Sequence, residues 1–309
     1  MSKVQKITLE NIDMLLVDPD LQMRHSIRNI LHDNGFRNVR LGATIRDIRE
    51  QMTNAMPDIL ISEVKLADGD FCDFIASLRH GDNGTNPFLP IIALAWSPTQ
   101  DEVRHIIRTG ADDLLSKPLS AGQLLGRINT LIKDRKPFVV TSDYIGPDRR
   151  SKELREKSKI PLIDVPNTLR AKATGVKNFS NVQEVIDAAA AEVNLQKLIR
   201  HAGQIRYLVD RLVPALVGGA IDEATRMALE RLLYIAQDTG RRLAGTRFEH
   251  VTDLCRSLIE VTNRILAGGY EADSKDVNLL RPLSQAIQGG FGEDTEALAF
   301  EISKSVKKI

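Results

Sequence analysis

Along the first 133 residues the apolar positions change period in a regular cycle. Short unbroken runs such as Met14-Leu15-Leu16-Val17 alternate with stretches in which apolar residues recur every three or four positions. An unbroken run is the pattern of a strand covered on both faces, and the longer period is that of a helix with one apolar stripe. The cycle predicts strands at residues 14–17, 39–41, 59–62, 89–94 and 114–116, and helices at 21–32, 44–52, 71–79, 99–108 and 121–133. Asp20 is placed to cap the first helix, whose Met23, Ile27, Ile30 and Leu31 share a face, and Gly35 ends it. Five strand–helix units joined by short loops predict an α/β fold, a doubly wound five-stranded parallel sheet. Functional residues of such a sheet sit at the carboxyl ends of its strands.

After Lys133 the cycle stops. Residues 135–181 contain several prolines and an Arg/Lys cluster and are expected to be a basic, solvated linker between a first domain at 10–134 and a second at 182–309. The second domain reads as an all-α helical bundle. Ala188, Leu195, Ala202, Val209 and Leu216 recur every seven residues, with Ala191, Leu198, Ile205 and Leu212 three further on. Ile199 and Leu208 widen this stripe beyond a two-stranded seam, and Pro214 is expected to kink or end the helix. Further helices are predicted at 221–243, 248–266, 277–287 and 295–307. The stripe predicts either a homodimer through the helical region, the reading adopted, or a bundle closed within one chain.

Composition narrows the function. The 309 residues carry a net charge of +1 with 42% hydrophobic positions, so any contact with nucleic acid has to be local. Cys72 and Cys255 are the only cysteines, which supports neither a disulfide framework nor a thiolate metal cluster. No apolar run reaches the roughly 18 residues needed to span a bilayer. The start MSKVQKITLENIDM lacks a signal-peptide core, and a cytoplasmic location is expected. HExxH and P-loop motifs are missing, and no enzyme activity is expected.

The predicted strand ends carry Asp18, Glu63, Ala95 and Lys117. The stretches around them, MLLVDPD, PDILISEVKLADG, PIIALAW and GADDLLSKP, resemble in order and spacing the signature stretches of CheY-like response-regulator receiver domains. The resemblance implies an acidic pair after the first strand that holds magnesium. It also implies an Asp after the third strand that takes a phosphoryl group from a histidine kinase. A Thr or Ser after the fourth strand and a Lys-Pro in the fifth then contact the phosphoryl oxygens. Carried over by position, Asp18 is the first acid, Pro19 stands where the second belongs, and Asp20 comes one step late. Glu63 occupies the phosphoacceptor position, Ala95 the hydroxyl position and Leu114 the aromatic switch position, while Lys117-Pro118 is intact.

A lost carboxylate weakens an octahedral magnesium site, so Asp18 alone is expected to hold the metal poorly and no cofactor is assigned. The extra methylene of Glu63 misplaces a nucleophile for in-line attack. Three readings of Glu63 follow. It is a permanent mimic of the phosphorylated state that pairs with Lys117, a relic of a decayed site, or a site of residual phosphorylation, at Glu63 itself or at Asp68.

Within the basic segment, GPDRR resembles sequences that follow receivers in some bacterial signalling proteins. Arg149, Arg150, Lys152 and Arg155 are candidate anion or partner contacts. In the helical part, His201 lacks the Lys-Gly that follows phosphotransfer histidines, and His250 precedes Val-Thr-Asp. The stretch from Glu260 to Asn263 resembles the Glu-x-x-Asn element of some receiver phosphatases. The whole predicts an atypical response-regulator-like protein of phosphorelay signalling that works through protein–protein interaction, with a histidine kinase or a downstream target as partner. The alternatives are a DNA-binding regulator and a helical phosphotransferase or phosphatase. No membrane insertion is expected.

Overall fold

The computed structural model describes residues 7–81, 86–158, 160–175, 182–218, 221–269 and 271–291. The chain divides into two units, residues 1–192 and 193–309.

In the first unit, five strands form one parallel sheet in the order β2-β1-β3-β6-β7. They are β1 (Asp13–Val17), β2 (Asn38–Gly42), β3 (Ile59–Glu63), β6 (Ile91–Trp96) and β7 (Asp113–Lys117). A two-residue ribbon of β4 (Lys65–Leu66) and β5 (Gly69–Asp70) follows β3. Five helices cover the sheet: α1 (Leu21–Asp33), α2 (Ile45–Asn54), α3 (Phe71–Arg79), α4 (Gln100–Arg108) and α5 (Ala121–Lys133). The unbroken apolar runs split by parity into two layers. Leu15, Val17, Leu60, Ala93 and Ala95 pack on the side of α2, α3 and Ile106 of α4, whereas Met14, Leu16, Ile59, Ile61 and Leu94 pack against α1 and α5. Each helix starts on a side-chain cap: Asp20, Thr44, Asp70, Thr99 and Ser120 accept from the first-turn N–H groups. These caps turn the chain just past the carboxyl edge of the sheet.

The segment expected to be a solvated linker is folded onto the sheet unit, which corrects the boundary drawn at residue 134. It forms β8 (Phe138–Val140), β9 (Ile145–Pro147), α6 (Lys152–Lys157) and α7 (Thr168–Ala173), with β8 and β9 paired as a hairpin. A buried ion cluster holds it. Asp112 lies 3.0 Å from Arg79 and 2.7 Å from Arg135, all with side chains at most 4% exposed. Arg79 also donates to the carbonyls of Pro87, Leu89 and Gly110. Burial pushes its guanidinium down to about 10, against the pull of Asp112.

At the GPDRR stretch a side chain on Gly146 would meet the Gly110 Cα at 2.7 Å, and one on Gly110, where φ is +95°, would meet the Ile145 carbonyl at 2.5 Å. Only glycine lets these two backbones touch. Asp148 is fully buried and pairs with Arg150 and Arg155; burial raises its carboxyl, but the two guanidinium groups outweigh this and hold it low. At the far end, Leu169 and Ala173 of α7 sit in the α1–α5 core layer, and Lys172 pairs with Asp58 at 3.0 Å.

The second unit is helical. Helix α8 (Val182–Val217), whose first residues precede the unit boundary, runs through Pro214 and ends one turn later, and it is followed by α9 (Glu223–Leu243), α10 (Thr252–Ala267) and α11 (Ser274–Gly289). The predicted helix at 295–307 lies outside the described residues. From Leu198 onward, Ala202, Ile205, Val209, Leu212 and Leu216 are buried in one core with Leu229, Leu232, Leu258, Val261 and Leu280. The seam proposed for a homodimer is therefore filled by the chain's own helices. Ala188 and Ala191, at its start, are exposed.

Candidate functional site

Parallel pairing brings the ends of β1, β3, β6 and β7 to one edge of the sheet. Lys117 ends β7 with its side chain fully buried between two carboxylates. Its ammonium donates to Asp18 Oδ2 and lies 2.5 Å from Glu63 Oε2. The contact with Glu63 is an ion pair outside hydrogen-bond alignment, since Oε2 has no aligned donor. The other Glu63 oxygen accepts from its neighbour Val64 N at 3.0 Å. Asp18 and Glu63 expose 1% and 7% of their side chains, so this triad is shielded from solvent. A buried arrangement of two acids around one cation exists only while all members hold their places, because removing one leaves an uncompensated charge. The Lys117–Pro118 peptide bond is cis, and Pro118 itself is exposed.

Magnesium does not fit these residues. Asp18 gives Oδ2 to Lys117 and Oδ1 to the Asp20 N–H. Asp20 spends its Oδ1 on capping α1 through Gln22 N and Met23 N, and the Pro19 side chain has no ligand atom. The positive charge that balances Asp18 and Glu63 is the Lys117 ammonium. Asp68 is spent in a similar way: its two oxygens accept from Ile45 N and Arg46 N at the start of α2, which holds its carboxyl low.

Outside the triad lies a pocket of about 260 Å³ lined by Asp18, Glu63, Asp70, Trp96, Glu102 and His105, among others. Ala95 contributes only a methyl group where a hydroxyl would be needed to bind a phosphoryl oxygen. Trp96, which the sequence reading passed over, is 56% exposed, and its ring centroid stands 5.5 Å from the Lys117 ammonium, within cation–π range. Its signal was available: it is the one Trp of the chain, at the carboxyl end of a strand. Ser97 after it takes φ +36°. At the mouth, Lys65 reaches Glu102 at 3.0 Å. The Thr99 N–H and then Lys65 hold the Glu102 carboxyl down to about 2.

The candidate anion contacts do not converge on a ligand. Arg149 donates to the carbonyls of Ala111 and Asp112 at 2.6 and 2.8 Å, Arg150 and Arg155 hold Asp148, and Lys152 is exposed. In the helical unit His201 is fully buried, 3.2 Å from Thr239 Oγ1 and 3.7 Å from Asp238. A phosphotransfer histidine has to meet a partner at the surface, and His201 does not. His250, Glu260 and Asn263 are exposed.

Residues 14–129 fit the family model of the response regulator receiver domain. The chain is 29% identical over 121 residues to the KDP operon transcriptional regulatory protein KdpE of Escherichia coli (strain K12), covering 39% of this chain and 51% of that protein. It is 31% identical over 127 residues to the response regulator MprA of Mycobacterium tuberculosis (strain ATCC 25618 / H37Rv), covering 41% and 53%. The chain thus spans about half the length of these curated relatives. Among solved structures, the chemotaxis response regulator CheY4 of Vibrio cholerae aligns with 25% identity and a TM-score of 0.34, over 38% of this chain and 96% of that one.

Proposed function

With residues 14–129 as a response regulator receiver domain, we propose that this chain is an atypical regulator of two-component signalling, locked in one state without phosphoryl transfer. It acts by binding another signalling protein, a histidine kinase or a downstream target, in the cytoplasm. The buried Lys117, held between Asp18 and Glu63, carries this reading. In the receivers that this chain resembles, the acids bind a metal and the lysine contacts the phosphoryl oxygens. Here the lysine already holds a carboxylate at the phosphoacceptor position, a charge-assisted contact that stands in for the acyl phosphate. Attack by Glu63 on phosphorus would require breaking that ion pair, with neither a metal ligand set nor a hydroxyl to receive the charge. The pair therefore sets the state. Incubation of the protein with a small phosphodonor and magnesium, followed by intact-mass measurement that preserves acyl phosphates, tests this. No addition is expected, and rapid magnesium-dependent addition of one phosphoryl group overturns it.

A second reading, binding to DNA, draws on the name of the KdpE relative, a transcriptional regulatory protein. The match to that relative spans 121 residues, and three of the four basic candidates in the 149–155 segment are engaged within the fold. Duplex binding with a steep decline as salt rises would favour it.

A further inference from the structure

We propose that Asp70, Cys72 and His105 form a site for a thiophilic divalent transition metal, with zinc the best match. Asp70 caps α3, Cys72 is the second residue of that helix, and His105 lies one turn beyond Glu102 on α4. A carboxylate oxygen, the thiol sulfur and an imidazole nitrogen all lie within 4.8 Å of one another. The Asp70 cap uses Oδ1, which accepts from Cys72 N at 2.7 Å and fixes the orientation of the carboxylate. This is an outer bond of the kind that positions a metal ligand. One sulfur, one nitrogen and one oxygen donor suit zinc, which accepts three protein ligands and leaves a fourth position open. Magnesium, which demands oxygen ligands in octahedral array, is excluded from such a set.

The bland reading is a buried helix-start cysteine beside a cap. Burial, and then the Asp70 charge, push the Cys72 thiol up. The position of His105 separates the two readings. It comes from a different helix, is exposed, and still brings its ring to the thiol and carboxylate. Asp70 and His105 also line the pocket that contains Glu63, which is where the open position would find a further ligand. A metal here would clasp the start of α3 to α4 across the gap that Lys65 and Glu102 already span.

Cobalt(II) titration of the chelator-treated full-length protein reads this site directly. A thiolate-to-cobalt charge-transfer band in the near ultraviolet, saturating at one equivalent, is expected. Zinc should erase it, and magnesium should leave it unchanged. Cys72→Ser should abolish the band while Cys255→Ser, which alters the other buried thiol, keeps it. His105→Ala removes an exposed side chain, and it should weaken cobalt affinity at least about tenfold with an unchanged circular dichroism spectrum. Absence of the band, its persistence in Cys72→Ser, or unchanged affinity in His105→Ala overturns the site. If Cys72→Ser does not fold, the His105→Ala result decides alone.

Discussion

Glu63 and Lys117 meet at 2.5 Å beneath the carboxyl edge of the sheet, with the lysine side chain wholly out of solvent. At such a depth the pair is coupled to Asp18, which Lys117 also holds. Lys117→Met leaves two buried carboxylates without a cation and is expected to destabilise the receiver by about 3–5 kcal/mol. Glu63→Gln removes one charge of the triad and should cost less. The double variant should be more stable than the sum of the two predicts, by at least about 0.5 kcal/mol. Urea unfolding of the four proteins measures this, and strict additivity would show that the two residues do not share one interaction.

The Asp112 cluster ties Arg135, at the start of the segment after residue 134, to the sheet unit. Asp112→Asn leaves Arg79 and Arg135 facing each other without their shared carboxylate and should cost about 3–5 kcal/mol. A fragment ending at residue 134 lacks Arg135 and the hairpin, and should melt well below one ending at residue 175. Thermal unfolding followed by circular dichroism compares them, and equal midpoints would mean that the extension adds nothing.

Acid should open the pocket mouth in a defined window. The folded Glu102 carboxyl is held down to about 2 from an ordinary 4.5. A depressed acid contributes stability that is present above its unfolded value and is lost as pH falls through its folded value. The Glu102 contribution should thus fade between about 4.5 and about 2. Carbon NMR of the Glu102 carboxyl should titrate near the lower value, and Lys65→Met should move the midpoint upward. A midpoint at the ordinary value would remove both contacts from consideration.

The strands and helices of the receiver were legible because two-sided burial writes unbroken apolar runs and one-sided burial writes helical stripes; of the caps only Asp20 was read, whereas Thr44, Asp70, Thr99 and Ser120 show themselves in the structure. The pairing of Glu63 with Lys117 belonged to one of the three readings of Glu63 that the sequence left open. The extension was not. Its attachment relies on one aspartate, Asp112, meeting Arg135 23 residues later, and on two glycines whose role lies in what they lack. Short three-residue strands and ion pairs leave no periodicity to read. The heptad stripe was real from Leu198 onward, but a stripe specifies that something covers it and not whether the cover belongs to the same chain.

The covered stripe carries its own test. Leu198→Glu with Ile205→Glu places two charges in a core built from α8 to α11, at a cost of at least about 3 kcal/mol each. The helical unit should unfold, with loss of helical signal. A folded double variant that merely halves its mass in light scattering would instead place the seam between two copies.

At the contact of Gly110 with Gly146 no side chain stands between two backbones. Gly110, just past α4, and Gly146 of β9 therefore sit in direct backbone contact, and a side chain at either would have to push the two segments apart. The hydroxyl and the aromatic ring that the resemblance implies are missing at Ala95 and Leu114, and α4 instead brings Glu102 and His105 into the pocket wall. Both strands of the hairpin are buried, so the extension belongs to the packed interior of the first unit.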